Sequence, residues 1–94
     1  MAPHLIEQQI RQFIVEVFLF GQGSDSLSSQ DSLLKRGIVD STGVLELVAF
    51  VERTWDIQVP DEELVPDNFE SIDKITRFVD RSTRTRNAVA HVSA

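Results

Sequence analysis

The stretch Gly37-Ile38-Val39-Asp40-Ser41 runs directly into residues 42–55, and this junction decides the fold. Between 42 and 55 the apolar residues fall on one narrow stripe at helical spacing, which predicts a helix with one face on a core. That stripe consists of Val44, Leu47, Val48, Val51 and Trp55. Asp40 is placed to cap the start of the helix, and Ser41 then lies in its first turn, open to solvent. We interpret Ser41 as an attachment point for another group.

Apolar spacing predicts a substantial helix on each side of this one. The first begins near Pro3, a residue that suits a helix start, and ends at Gly21. Its inner face carries Ile6, Ile10, Phe13, Ile14 and Val17. The last begins at Ser71, which can cap it. Its inner face carries Ile72, Ile75, Phe78 and Val79.

The connections between these helices complete an all-α prediction. Residues 21–30 form a long polar loop, and residues 31–36 are expected to form a single helical turn that Gly37 stops. Pro60 forces an extended connection, and Asn68 and Phe69 belong to a short third helix. The expected fold is therefore a four-helix bundle with a long first loop and a short third helix.

The composition indicates one small domain whose charge is spread unevenly. The 94 residues include no cysteine, so the chain can build no disulfide, thiolate nucleophile or zinc knuckle. Residues 1–80 hold 6 basic and 15 acidic side chains, whereas the polar C-terminal segment contains arginines and no acid. We predict a folded carrier domain over residues 1–81 and a disordered basic tail over residues 82–94.

The acidic body argues against nucleic acid as a partner and favours proteins with basic surfaces, although acidity also serves solubility alone. The longest apolar stretch, Phe18-Leu19-Phe20, is far too short to span a membrane. The N-terminus lacks the basic region and long apolar segment of a secretory signal. We therefore expect a cytoplasmic monomer.

Catalysis by Ser41 is not expected. His4 and His91 are the only histidines, and both lie near the chain ends, where nothing holds them beside a serine. The acidic run Asp61-Glu62-Glu63 lacks the alternating oxygen ligands and the glycine of a calcium loop, and we predict no metal site. The chain is expected to present a group to enzymes rather than to be one.

Several short motifs follow one another in a fixed order. They are Asp31-Ser32-Leu33, Gly37-Ile38-Val39-Asp40-Ser41, Leu45-Glu46-Leu47-Val48, Ile57-Gln58-Val59-Pro60-Asp61-Glu62 and Asn68-Phe69, all within residues 5–80. This order resembles an acyl carrier protein. The resemblance implies that a magnesium-dependent phosphopantetheinyl transferase attaches 4′-phosphopantetheine from coenzyme A to Ser41, assisted by Asp40. The arm would then carry acyl groups as thioesters.

The resemblance also implies the partners of the second helix. They are acyl-loading, condensing or acyltransferase enzymes of fatty-acid, polyketide or related biosynthesis, whose basic patches meet acidic residues of the carrier. Here those residues are Glu46, Glu52 and Asp56. Leu45 and Ala49 would add apolar contact beside them. Thr42 stands where the family usually has a leucine or methionine that touches partners.

Three departures from the family pattern, Thr42, Gly43 and Arg53, indicate a specialised carrier rather than the housekeeping one. The chain is short enough for a free-standing carrier, and excision from a larger synthase stays open as the alternative. The Asp-Ser-Xaa-Gly arrangement also resembles D-alanyl carrier proteins, so an aminoacyl cargo stays open. A further alternative is an unmodified helical interaction module in which Asp40-Ser41 is only a cap. Asp-Ser also occurs at 25–26 and 31–32, but only Ser41 opens a helix long enough to be held by packing.

Overall fold

The computed structural model describes residues 3–21 and 27–93 of the chain. Its four α-helices are α1 (Pro3–Phe18), α2 (Ser41–Trp55), α3 (Pro66–Phe69) and α4 (Ile72–Ser93), and a 3-10 helix (Asp61–Glu63) precedes α3. Within the described residues the structure contains no strand. The predicted all-α bundle with a long first loop and a short third helix is confirmed.

The core lies between α4 and the three other helices, and each of those three helices contacts α4. Its fully buried side chains include Ile6, Ile10 and Ile14 of α1, Leu47 and Val51 of α2, and Ile72, Ile75 and Val79 of α4. The inner faces predicted for α2 and α4 are therefore correct, apart from Val44, which is half-buried. Burial of these side chains, rather than helix propensity, supplies most of the stability of such short helices.

The predicted inner face of α1 is wrong at one position. Val17 is 40% exposed, whereas Val15 is buried. Val17 lies in the last turn, just before the chain reverses direction. The Gly21 N–H donates to the Val15 carbonyl across 2.8 Å, and Phe20 and Gly21 both have positive φ. Helical spacing alone does not predict this backbone turn at the end of α1.

The sequence predicted a disordered basic tail over residues 82–94. The structure assigns α4 to Ile72–Ser93. Asp80 and Arg84, four residues apart, form an ion pair at 3.1 Å, a spacing that modestly stabilises this part of the helix. The division of the chain at residue 81 stays a prediction.

Candidate functional site

Ser41 is the first residue of α2. Its side chain is exposed, and its hydroxyl has no hydrogen-bond partner among the described residues. Asp40, in extended conformation, is the N-cap: its Oδ1 accepts from the Gly43 N–H across 2.7 Å. The Asp40 carbonyl accepts the first helical bond, from the Val44 N–H at 3.0 Å. The hydroxyl is thus fixed in position by the backbone while staying accessible.

We expect Asp40→Ala to destabilise the protein by about 1 kcal/mol, because the Gly43 N–H would lose its acceptor at a helix start. Asp40→Asn should recover most of that loss, since an amide oxygen can accept the same bond. Chemical denaturation followed by the fluorescence of Trp55, the only tryptophan, measures both variants. Equal stability of the alanine and asparagine variants would contradict this role of the cap.

The loop before Ser41 is anchored at two buried residues. Leu33 and Val39 are almost fully buried, and the Leu33 carbonyl accepts from the N–H groups of Ile38 and Val39 at 3.0 and 3.1 Å. The Leu33 N–H in turn donates to the Glu70 carbonyl at 2.8 Å, just ahead of α4. Gly37 turns the chain with a φ of 70°, a conformation that favours glycine. The single turn predicted for residues 31–36 is present as a hydrogen-bonded turn, closed by Arg36 N–H to Ser32 carbonyl at 3.0 Å.

Asp31 closes the far end of this loop. Its Oδ2 accepts from the Ser28 N–H at 2.9 Å and from Arg36 Nη1 at 2.7 Å. The hydrogen bond from the Ser28 backbone, with a smaller contribution from Arg36, lowers the pKa of the Asp31 carboxyl below its usual value. The charged carboxylate therefore supports the turn that leads to Ser41.

A carboxyl whose pKa is lower in the folded state stabilises the fold above its unfolded pKa, and that stabilisation disappears as the pH falls through the folded value. We therefore expect the stability difference between the parent and Asp31→Asn to be constant above about pH 5 and to shrink toward pH 2. The asparagine keeps an acceptor for Ser28 but loses the charge that attracts Arg36. Urea denaturation across this pH range measures the difference, and a difference independent of pH would contradict the assignment.

Gly43 lets three segments meet closely behind Ser41. A Cβ at this buried position would lie 2.9 Å from Phe18 Cε1 and 3.0 Å from Val39 Cγ1. The sequence shows only that glycine lowers helix propensity here. The structure shows that the end of α1 and the loop before α2 occupy the space that a side chain would need.

An apolar cleft of about 360 Å³ opens beside Ser41. It is lined by Leu34, Ser41, Val44, Leu45, Leu64 and Val65. Three of these, Leu45, Leu64 and Val65, are exposed large hydrophobic residues. Sequence reasoning did not place Leu34, Leu64 or Val65 at the site, because they come from loops distant in sequence. The one available signal was the pair Leu64-Val65, apolar between an acidic run and a proline.

The structure brings most of the predicted partner-binding residues onto one face of α2. Thr42, Leu45, Glu46 and Ala49 are exposed, and Leu45 is 62% exposed. Asp56 is also exposed, at the C-cap, where its left-handed conformation ends α2.

Glu52 differs from the other predicted partner-binding residues. It is half-buried, and its Oε2 accepts from the Val59 N–H at 2.9 Å. This carboxylate therefore holds the chain after α2 in place. A partner role for Glu52 has to compete with that bond.

No group of three His, Cys, Asp or Glu side chains among the described residues could hold a metal ion. No helix in the part of the chain that the structure describes combines the length and the apolar character needed to cross a membrane. His4 is exposed at the start of α1, and the side chain of His91 lies outside the description, as do Asp25 and Ser26 of the first Asp-Ser pair. The site thus consists of an accessible serine on a capped helix, an apolar cleft and an exposed helix face.

A small helical bundle that presents one free serine at the start of its second helix has the architecture of a carrier domain. The chain is 30% identical over 77 residues to the probable acyl carrier protein PigG of Serratia sp. (strain ATCC 39006), covering 82% of this chain and 87% of that protein. It is 32% identical over 73 residues to the D-alanyl carrier protein of Streptococcus pyogenes serotype M5 (strain Manfredo), covering 76% and 91%. No protein-family model matches it. The chain belongs to the acyl carrier protein family.

Proposed function

We propose that this protein carries acyl or aminoacyl groups as thioesters on a 4′-phosphopantetheine arm attached to Ser41, and that it is not itself an enzyme. Membership of the carrier family supports the proposal. The observation that carries it for this chain is the Ser41 hydroxyl, exposed, without a partner and fixed at the first residue of α2. When bound, the arm supplies the thiol that this cysteine-free chain lacks.

The residues around Ser41 fit such an arm. The N-terminus of α2 provides backbone N–H groups and the positive end of the helix dipole, both favourable to a phosphodiester. The apolar cleft beside Ser41 offers contact to an uncharged chain that leaves the serine. Gly43 keeps the backbone close to Phe18 and Val39, so the helix start that bears the hydroxyl is rigidly supported.

We propose that Ser41 is modified by a phosphopantetheinyl transferase that uses magnesium. The Ser41 Oγ forms a bond to the phosphorus next to the pantetheine, the anhydride bond of coenzyme A breaks, and adenosine 3′,5′-bisphosphate leaves. The hydroxyl proton passes to a base on the transferase. Asp40 Oδ1 holds the Gly43 N–H during this step, and Oδ2, with no partner among the described contacts, is available to the transferase-bound magnesium.

For the cargo we propose an acyl group of fatty-acid, polyketide or related biosynthesis, and a cytoplasmic location. An aminoacyl cargo is the second candidate. It is favoured by the similarity to D-alanyl carrier proteins, which extends over 91% of their length. Both cargoes use the same serine and arm, so they differ only in the enzyme that loads the thiol.

The arm is tested by incubating the protein with coenzyme A, magnesium and a broad-specificity phosphopantetheinyl transferase. We expect the intact mass to increase by one phosphopantetheine, and fragmentation to place it on the peptide that contains Ser41. Lack of modification by both this transferase and the cognate one, on folded protein, would overturn the proposal in favour of the unmodified interaction module.

The cargo is tested on the product of that reaction. The loaded protein is incubated with ATP, D-alanine and a D-alanine-activating ligase, and in parallel with ATP, fatty acids and an acyl-activating ligase. A thioester detected by mass in one reaction only assigns the cargo class. Release of the adduct by hydroxylamine shows that the linkage is a thioester on the arm.

A further inference from the structure

Arg53 differs from the other arginines that the structure describes. Each of the other arginine side chains that the structure describes has an acidic partner: Arg11 with Glu7, Arg36 with Asp31, Arg77 with Asp73, Arg81 with Glu63 and Arg84 with Asp80. Arg53 is exposed and has no acidic partner among the described residues. It lies on the outer face of α2, the helix that presents Ser41.

Glu46 is the counterpart of Arg53 on that face. It is also exposed and also has no partner among the described residues. The two positions are seven residues apart, which places them on one stripe of the helix about 10 Å apart along its axis. The structure shows no ion pair between Glu46 and Arg53. Both charges are therefore directed at something outside the chain or only at water.

Apolar and small side chains lie alongside these two charges. Ala49 lies between them and leaves room for a side chain from another molecule. Leu45, 62% exposed, continues into the apolar cleft beside Ser41. We call Leu45, Glu46, Ala49 and Arg53 the α2 docking face. It combines an apolar contact with two opposite charges, and a partner with complementary charges can match both of them.

We propose that the α2 docking face binds the enzyme that loads the arm, and that this enzyme presents an acidic side chain to Arg53 as well as a basic one to Glu46. The inference rests on the proposed function and adds the chemistry of the partner. A uniformly basic docking surface would meet like charge at Arg53, whereas a surface with both signs would be matched at both positions. The partner also contacts Leu45 with an apolar side chain.

Two opposite charges also fix the direction of docking. Glu46 lies about one and a half turns beyond Ser41, and Arg53 lies near the C-terminal end of α2. A partner with complementary charges fits in one orientation along the helix and mismatches both charges when reversed. In the matched orientation, the Ser41 end of α2 always faces the same region of the enzyme surface. Unlike a uniformly acidic helix, this face thus specifies direction as well as contact.

A second copy of this chain is the competing occupant. In an antiparallel pair of α2 helices crossing near Ala49, Glu46 of each copy would face Arg53 of the other, because such an interface is self-complementary. That pairing would cover the approach to Ser41. We favour the loading enzyme because the face adjoins the serine and the cleft, which a partner acting on the arm has to reach.

The proposal is tested by kinetics with the loading enzyme, purified from source cells by following thioester formation on the holo protein. We expect Arg53→Glu to raise KM about tenfold or more with kcat unchanged, and Arg53→Lys to have little effect. Arg77→Glu, the same charge change at an exposed position of α4, is the matched control. An unchanged or lower KM for Arg53→Glu would overturn the proposal.

A zero-length cross-link gives a second, independent measurement. Arg53→Lys keeps the charge and adds an amine that a water-soluble carbodiimide can join to a carboxylate in direct contact. We expect a cross-linked peptide between Lys at position 53 and an acidic residue of the loading enzyme, lost when excess uncross-linkable parent protein competes. A cross-link from position 53 to Glu46 of another copy would assign the face to self-association instead. In that case sedimentation equilibrium should show a dimer that Arg53→Glu dissociates.

The failure of the proposed function gives a different result. If cell extracts form no more thioester on the transferase-treated parent than on Ser41→Ala, the proposed carrier function is wrong. If thioester forms and Arg53→Glu is loaded as well as the parent, the carrier function stands and only the proposed acidic partner of Arg53 is wrong.

Discussion

Replacing Ser41 with alanine is expected to abolish attachment of the phosphopantetheine arm completely while leaving the fold intact. The loss should be total because the proposed arm is bonded to the Ser41 Oγ, and alanine has no group that can replace it. The fold survives because the side chain is exposed and makes no hydrogen bond among the described residues. The helix cap comes from the Asp40 side chain instead. We expect a stability change within about 0.5 kcal/mol, as for other exposed positions without a structural contact.

Intact mass after treatment with coenzyme A and transferase measures attachment of the arm, and denaturation measures the stability. Ser32→Ala is the matched control, since Ser32 also follows an aspartate and also lies in the loop region near the site. Its hydroxyl accepts from the Lys35 N–H at 3.1 Å, so that serine has a structural contact that Ser41 lacks. Attachment of the arm to Ser41→Ala at the parent rate, or loss of attachment in Ser32→Ala alone, would mean that the arm is bonded to another residue.

The position of Ser41 at the start of a capped helix was predictable because its signal is local. An aspartate followed by an amphipathic helical run specifies a cap, and a cap places the next residue at the helix start. The Asp40 and Ser41 positions therefore follow from about fifteen consecutive residues. The choice of Ser41 over the other Asp-Ser pairs followed from helix length, since neither of the others precedes a long amphipathic run.

The cleft was not predictable because its walls come from three separate segments. Leu34 belongs to the loop before α2, Val44 and Leu45 belong to α2, and Leu64 and Val65 follow the 3-10 helix. Their proximity depends on how those segments pack, which periodicity within a single helix does not report. The same limit explains Gly43: its propensity is a local property, but its contacts with Phe18 and Val39 are tertiary.

Glu52 has a contact within the chain that the sequence did not reveal. The resemblance to acyl carrier proteins implied a partner-binding role for Glu52, and that role stays a prediction. The chain after α2 folds back so that the Val59 N–H reaches the Glu52 carboxylate. A hydrogen bond between residues seven apart depends on the path of the loop after α2. That path is fixed by Ile57 and Val59, which are buried.

A large loss of stability is expected for Leu47→Ala. Leu47 is fully buried in the core, so the substitution removes apolar contacts and leaves a cavity. Leu-to-Ala changes at such sites cost about 2 to 5 kcal/mol, a large fraction of the stability of a domain of this size. We expect the denaturation midpoint to fall by a corresponding amount with an unchanged m-value, because the folded and unfolded states expose similar surfaces as before.

Leu45→Ala is the matched control, because it is the same substitution two residues earlier on the exposed side of α2. It should change stability by no more than about 0.5 kcal/mol. If Leu45 contacts the loading enzyme, it should nevertheless raise the KM for loading. Leu47→Ala should leave that KM unchanged under conditions where the protein stays folded. The pair separates the two sides of α2: one side holds the helix to the bundle, and the other is available to a partner. Equal stability losses for both variants would mean that Leu45 is buried against the chain itself, and the docking face would then lose its apolar contact.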